Sequence, residues 1–215
     1  MGEVNAATTE ASRPQLIRLR TGHLVQLRPV RPSDAPAVAR AYRDLGEQSR
    51  YRRFFTLMPE LSESTLRAAT EVDHTDHEAL VASPPLSADI VGEARFVRSA
   101  EHPDTADVAV TVVDGWQGRG VGSALLRRLS QRAVEVGVHH FTAEILAENR
   151  TMLAMLPNLG RVETRADGSV VSARIEIAQP PQPTRHGLLD LLRAAARGEI
   201  VCVPTALRRM LRPRS

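Results

Sequence analysis

Residues 107–122 read DVAVTVVDGWQGRGVG, and the rest of the chain is arranged around this stretch. Its first half is a run of valine, alanine and threonine, which predicts a buried strand. A turn at Asp114 and Gly115 leads into the glycine-rich residues 117–122, and apolar residues at helical spacing begin at Leu125. A strand, a glycine-rich turn and a helix in this order present free backbone N–H groups to an anion. The stretch therefore predicts a phosphate-binding turn.

Composition indicates one domain of ordinary size with an aliphatic core, because 42% of the 215 residues are hydrophobic and only 3% are aromatic. The single cysteine, Cys202, excludes an internal disulfide and a cysteine-rich metal site. No apolar run reaches the roughly 18 residues that cross a bilayer, and the N-terminus lacks an apolar signal region. We therefore expect a cytoplasmic protein without a transmembrane segment.

All 28 basic side chains are arginines, and the chain contains no lysine. This excludes a Schiff-base lysine and the lysine of a Walker loop. The net charge is only +3, and the pI of 9.9 overstates the basic character because few groups titrate between neutrality and the arginine pKa. Charge therefore gives no reason to expect a specific nucleic-acid partner.

Hydrophobic patterning predicts an α/β domain over residues 16–178, with a mixed, mostly antiparallel sheet of six or seven strands and flanking helices. Strands are expected at residues 24–30, 78–82, 89–97, 108–113, 140–146, 162–165 and 170–177. Helices are expected after Ser33 or Asp34, over residues 62–71, from the glycine-rich turn to Val136, and from Asn149. Residues 1–15 are small and polar, which predicts a disordered N-terminal segment.

The composition changes after this domain. Residues 179–183 read QPPQP, which is typical of a stiff linker. The following residues, 186–215, form a C-terminal extension with apolar positions at helical spacing and six arginines against two acidic residues. This amphipathic, basic tail favours packing on its own domain or on a neighbouring subunit, as in a homodimer. A separate partner or an anionic surface are the alternatives.

Two shorter stretches admit both a structural and a functional interpretation. Residues 49–55, SRYRRFF, predict a short helix that buries Tyr51, Phe54 and Phe55 and leaves its arginines in solvent. The alternative is a wall of a substrate channel. Residues 73–77, DHTDH, have a spacing that brings two metal ligands together, but zinc needs three or four, so a surface loop without metal is favoured.

Two well-known types of phosphate-binding motif can be excluded for the glycine-rich turn. A Walker loop is excluded by the absence of lysine. A dinucleotide fingerprint needs a third glycine where Ser123 stands, and it lies early in its fold rather than after a hundred residues. The remaining pattern is Gln117-x-x-Gly120-x-Gly122 between a strand and a helix, with Asn149 just after the next strand.

These residues resemble the Q/R-x-x-G-x-G/A signature of the GCN5-related N-acetyltransferase (GNAT) family. Asn149 matches the family's asparagine beside the pantetheine arm of coenzyme A, and the order of elements over residues 22–178 is similar too. Residues 49–55 and 143–150 resemble the branch that includes bacterial protein lysine acetyltransferases.

The resemblance implies transfer of an acetyl group from acetyl-CoA to an amine, such as that of a protein lysine, without a metal. The backbone of the glycine-rich turn would hold the pyrophosphate, and the strand near Val112, with a bulge there, would hold the thioester carbonyl. The residues expected to bind the cofactor are Val112, Val113, Gln117, Gly118, Arg119, Gly120, Val121, Gly122, Ser123 and Asn149.

The resemblance also implies a general base, because the amine of a free lysine is protonated at neutral pH. A glutamate begins the corresponding strand in the lysine acetyltransferase branch, and Asp107 occupies that position here. Aspartate is one methylene shorter, so we expect it to act through a water molecule. Glu93 and Glu144 are further carboxylates that strand alternation could aim into the cleft.

Three residues depart from the family pattern. Leu156 stands where many members have a tyrosine that protonates the leaving thiolate, Pro157 follows where the helix should continue, and Arg161 replaces an apolar aromatic residue. They leave two alternatives open beside a protein lysine acetyltransferase: an enzyme for small-molecule amines, and a CoA-binding regulatory protein with weak catalysis.

Overall fold

The computed structural model describes residues 14–54 and 60–178. In this part the chain forms one mixed sheet of eight strands. The strands are β1 (Gln15–Arg18), β2 (Leu24–Pro29), β3 (His77–Ser83), β4 (Gly92–Arg98), β5 (Thr105–Val112), β6 (His140–Leu146), β7 (Gly160–Asp167) and β8 (Val170–Ile177).

The strands lie in the order β1-β2-β3-β4-β5-β6-β8-β7, and only β5 and β6 pair in parallel. The prediction of a mixed, mostly antiparallel sheet is confirmed, but the expected count of six or seven strands is wrong. The strand not predicted is β1, which begins at Gln15, the last residue of the segment expected to be disordered. This edge strand has only four residues and is mostly exposed, so it leaves no apolar alternation in the sequence.

The helices are α1 (Ala35–Arg43), α2 (Glu47–Phe54), α3 (Glu63–Thr70), α4 (Val121–Glu135) and α5 (Arg150–Met155). On one face of the sheet, α4 buries Leu125 and Leu129 in the larger core, which includes Phe96 of β4 and Phe141 of β6. The opposite face carries α1 and α3 over a smaller core around Val81. In the described residues no helix combines the length and apolarity that crossing a membrane requires.

Local signals explain where these helices begin. Ser62 caps α3, because its hydroxyl accepts a hydrogen bond from the Thr65 N–H at 3.1 Å. Asp34 precedes α1 as expected but does not cap it, since its carboxylate binds Arg28 and the Arg31 N–H instead. The helix predicted from Asn149 ends at Met155 and continues as a short 3-10 turn, because the proline that follows cannot donate a helical hydrogen bond.

The parallel strands β5 and β6 separate soon after they meet. Their pairing ends at Asp107↔Thr142, and β5 runs on to Val112 without a strand on that side. On its other side β5 pairs with β4 without interruption from Gly92↔Val112 to Arg98↔Ala106, so the bulge expected near Val112 is absent from this ladder. The separation of β5 and β6 opens the sheet into a cleft.

Candidate cofactor and active site

The cleft between β5 and β6 is large, with a volume of about 1690 Å³. A typical small-molecule pocket has roughly 300–1,000 Å³, so this cleft has room for an extended cofactor together with a second substrate. Its walls come from β5, the glycine-rich turn, the start of α4, β6, α5, the β1–β2 connection and α2. All the predicted cofactor-binding residues except Val113 line it, and so does Asp107.

The glycine-rich turn has the backbone conformation of an anion cradle. Gly118 and Gly120 adopt left-handed conformations with φ of +71° and +93°, which other residues rarely take. Gly120 directly precedes α4, which begins at Val121, so the first helical turn, with its free N–H groups, lines the cleft. No acidic residue lies in that first turn to compete with an anion for the positive end of the helix.

The side chain of Gln117 holds the turn in place. Its amide nitrogen donates to the Val112 carbonyl at 3.1 Å, to Ser49 Oγ at 3.1 Å and to Asp114 Oδ1 at 2.9 Å. A carbonyl only accepts, so the atom beside Val112 is the nitrogen. Gln117 therefore fixes the turn against the end of β5 and the start of α2.

Arginines surround the cradle. Arg119 lies 5.1 Å over the ring of Trp116 and 3.1 Å from His23 Nε2, which joins the glycine-rich turn to the β1–β2 connection. Eight arginines line the cleft: Arg18, Arg20, Arg52, Arg53, Arg119, Arg127, Arg165 and Arg174. Such a cleft favours an anionic ligand with several phosphates.

Asn149 stands where β6 leads into α5. Its side-chain oxygen accepts a hydrogen bond from the Met152 N–H at 3.2 Å, so Asn149 is the N-cap of the helix. This contact uses the oxygen and leaves the amide nitrogen available to donate into the cleft that Asn149 lines.

Asp107 lies where β5 and β6 meet, in the last residue pair before the two strands separate. Its exposed carboxylate accepts a hydrogen bond from the hydroxyl of Thr142, a cleft residue that the sequence did not single out. Glu144, two residues further along β6, also lines the cleft and has no hydrogen-bond or ion-pair partner among the described residues.

Glu93 is not a cleft residue. Arg95 forms an ion pair with it beneath α3, where Arg95 also donates to the Ala69 carbonyl at 3.0 Å. His77 Nε2 lies 3.3 Å from the same guanidinium, and burial together with Arg95 lowers the pKa of His77. Glu93 is therefore already neutralised by its neighbour, unlike Asp107 and Glu144.

Helix α2 forms a wall of the cleft, so the alternative interpretation of residues 49–55 fits better. Arg52 and Arg53 line the cleft, and burial lowers the pKa of Arg53. The expectation that Tyr51 is buried is wrong, because 42% of its surface is exposed. Phe55 lies outside the described residues, as does the predicted C-terminal extension.

Leu156 does not contact the cleft. Only 1% of its surface is exposed, and it packs in the larger core, while its neighbour Met155 lines the cleft. Arg161 is exposed in β7 and lies 4.0 Å from Glu163.

The acidic and histidine side chains of residues 73–77 each have a separate structural partner. Asp73 accepts hydrogen bonds from three successive backbone N–H groups, and these lower its pKa. His74 contacts the buried Glu78 at 2.7 Å, and Asp76 contacts Arg98 at 2.7 Å. Across the described ranges no three histidine, cysteine or acidic side chains form a group able to hold a metal ion.

Comparison with known proteins agrees with this architecture. The family model for the acetyltransferase (GNAT) domain matches residues 25–162. The chain is 34% identical to acetyltransferase Pat of Mycolicibacterium smegmatis over 193 residues, which are 88% of this chain and 57% of that protein. An acetyltransferase of Pseudomonas aeruginosa is 28% identical over 146 residues, or 67% of this chain and 78% of that protein.

Two solved structures share both fold and sequence with this chain. The GNAT domain of S. lividans PAT superposes with a TM-score of 0.70 at 29% identity, covering 76% of this chain and 97% of that one. The cAMP-binding acyltransferase from Mycobacterium smegmatis gives 0.58 at 31% identity, covering 87% of this chain and 55% of that one. This chain thus spans little more than half the length of the mycobacterial relatives. The family match covers most of the described domain, and the chain belongs to the GNAT acetyltransferase family.

Proposed function

We propose that this protein is an N-acetyltransferase that transfers the acetyl group of acetyl-CoA to the amine of a protein lysine. The observation that carries the proposal is the course of the cleft, which runs from the glycine-rich cradle to the carboxylate of Asp107. A phosphate site at one end and an exposed carboxylate at the other fit a cofactor that carries its reactive group far from its phosphates.

Each wall of the cleft has a role in holding the cofactor. The N–H groups at Gly120 and the start of α4 bind the pyrophosphate. The edge of β5 beyond Asp107 offers backbone N–H and C=O groups to the amides of the pantetheine arm, as an added strand would. Asn149 donates to the same arm from the opposite wall.

Transfer then requires a neutral amine next to the thioester carbon. The acetyl donor supplies an activated carbonyl, and an N–H from the free edge of β5 beyond Asp107 stabilises the negative charge that develops on its oxygen. Asp107 accepts the proton of the incoming ammonium, which frees its lone pair for attack. Leu156 supplies no proton to the departing thiolate, because its side chain is a hydrocarbon, and it is buried in the core.

The exposure of the cleft at Asp107, where the acceptor amine would enter, favours a protein acceptor over a small amine. Asp107 is exposed rather than enclosed, so the acceptor end of the cleft has an open entrance. A lysine on a loop reaches such an entrance, whereas a small amine gains few enclosing contacts there. The resemblance of residues 49–55 and 143–150 to the lysine acetyltransferase branch supports the same acceptor.

A thiol-release assay tests the proposal. Purified protein with acetyl-CoA is offered lysine-containing proteins and peptides, polyamines, aminoglycosides and free amino acids. We expect release only with lysine acceptors, and we expect Asp107→Asn to lower kcat by about 10²-fold or more. Glu144→Gln is the matched control, because it removes the other cleft carboxylate. Turnover with small amines alone would contradict the acceptor, and an unaffected Asp107→Asn would contradict the base.

The same experiment distinguishes the proposed enzyme from a CoA-binding regulatory protein. It predicts that acetyl-CoA binds tightly, measured by calorimetry, while no amine of any class is acetylated. Detectable turnover that is lost in Asp107→Asn excludes it.

A further inference from the structure

Thr142 and Asp107 form a pair across the only parallel junction described in the sheet. They are register partners, and the threonine hydroxyl donates its hydrogen bond to Oδ1 of the aspartate. Both side chains line the cleft, and Thr142 is half-buried whereas Asp107 is exposed. The hydroxyl therefore lies on the cleft side of the sheet, next to the carboxylate that accepts the proton in the proposed reaction.

The pair compensates for the short side chain of Asp107. Aspartate lacks one methylene of glutamate, so its carboxylate ends about 1.5 Å further from the substrate than a glutamate would. A hydroxyl group both donates and accepts. The donor of Thr142 is used by Asp107, while its oxygen lone pairs remain able to accept a hydrogen bond from a cleft ligand.

We propose that Thr142 relays the proton from the acceptor ammonium to Asp107. This inference rests on the proposed function. In the step an N–H bond of the ammonium breaks as its proton moves to Oγ1 of Thr142, while the original hydroxyl proton moves to Oδ1 of Asp107. The products are a neutral amine, an unchanged threonine and a protonated aspartate, so no further reactant is required. The hydroxyl takes the place of the water molecule that a short carboxylate otherwise needs.

The side chains next to Thr142 do not replace it in this proton transfer. Its register partner on the neighbouring strand β8 is Arg174, a permanent cation that donates but cannot accept a proton. Glu144 lies two residues further along β6, lines the same cleft, and makes no hydrogen bond to either member of the pair. Thr142 is therefore the neutral hydroxyl in direct contact with the carboxylate.

Four variants test the relay, with kcat and the KM values measured by thiol release on the full chain. Thr142→Val keeps the shape of the side chain and removes the hydroxyl, so we expect kcat to fall by about 10²-fold with both KM values little changed. Thr142→Ser keeps a hydroxyl and should retain most of kcat. Asp107→Glu should be active, because it extends the carboxylate into the position of the relay. Thr164→Val, another threonine that lines the cleft from β7, is the matched control.

The double variant Asp107→Glu/Thr142→Val decides between a relay and simple positioning. If Thr142 carries the proton, glutamate reaches the amine itself, and the double variant recovers most of the kcat lost in Thr142→Val. If the double variant is no better than Thr142→Val, or if Thr142→Val keeps full kcat, the relay is refuted. An inactive wild type would instead refute the proposed function.

Discussion

The hydroxyl of Ser49 donates a hydrogen bond to Oδ1 of Asp114 at 2.6 Å, joining residues that are 65 positions apart. The other carboxylate oxygen of Asp114 accepts the N–H of Gly46 at 3.1 Å. Gly46 allows this approach, because a Cβ there would lie 2.7 Å from that oxygen. The start of α2, the helix that carries Arg52 and Arg53, is thereby fixed to the turn that precedes the glycine-rich residues 117–122.

Replacement of Asp114 by alanine should weaken both ends of the site. It removes partners of Ser49, Gly46 and Gln117, and a net loss of about 1–2 kcal/mol corresponds to roughly a tenfold fall in kcat/KM. We expect KM to rise for acetyl-CoA and for the acceptor together. Asp44→Ala removes an exposed aspartate just before α2 and serves as the control. A change confined to one substrate would contradict the coupling.

Introduction of the family's tyrosine at position 156 should not raise activity. Leu156 is buried in the core, so the larger ring of Leu156→Tyr overpacks it and should lower the free energy of unfolding by about 1–3 kcal/mol. We expect no increase in kcat, because the new hydroxyl does not face the cleft. Leu86→Tyr, at a fully exposed position, is the control for urea unfolding. A higher kcat in Leu156→Tyr would show that this side chain reaches the thiol.

The sequence predicted the sheet and the glycine-rich turn well, because both depend on local patterns. Alternating and apolar runs located seven strands within a few residues, and the spacing of Gln117, Gly120 and Gly122 located the turn. The edge strand β1 was missed because four mostly exposed residues produce no period.

The contacts that assemble the site were not predictable in the same way. The pairing of Thr142 with Asp107 depends on the register of two strands separated by α4, and that of Ser49 with Asp114 on how α2 docks. Likewise, position 156 was interpreted from a family motif, while its burial depends on the packing of α5 against the core. Such long-range relationships follow from the fold and leave no local signal.

The ion pair between Arg28 and Asp34 should make stability depend on pH in the acid range. Burial alone would raise the pKa of Asp34, but hydrogen bonds from Arg28 and the Arg31 N–H lower it below its ordinary value of 3.8. The folded state therefore holds this proton less readily than the unfolded chain. The contribution of the pair is complete above pH 4 and is lost as the pH falls through the lowered pKa.

Urea unfolding of Asp34→Asn at several pH values measures this contribution. At neutral pH we expect the variant to be about 2 kcal/mol less stable, because it loses charge-assisted hydrogen bonds. Below pH 4 the difference from wild type should narrow. Glu63→Gln is the control, since the Glu63–Arg67 pair is exposed and contributes little at any pH. A difference that stays constant down to pH 3 would contradict the assignment.

The left-handed conformation of Gly120 should be essential for cofactor binding, and Gly115 offers a matched comparison. A Cβ at either position would meet nothing within 4 Å, so neither substitution creates a clash. Only Gly120 has a positive φ, +93°, where an L-residue is disfavoured by about 1–2 kcal/mol. Relief of that strain turns the N–H groups away from the pyrophosphate, so Gly120→Ala should weaken acetyl-CoA binding about tenfold in calorimetry, at 1.4 kcal/mol per tenfold. Gly115→Ala should bind as wild type does, and equal affinities in the two variants would mean that the turn does not hold the phosphates.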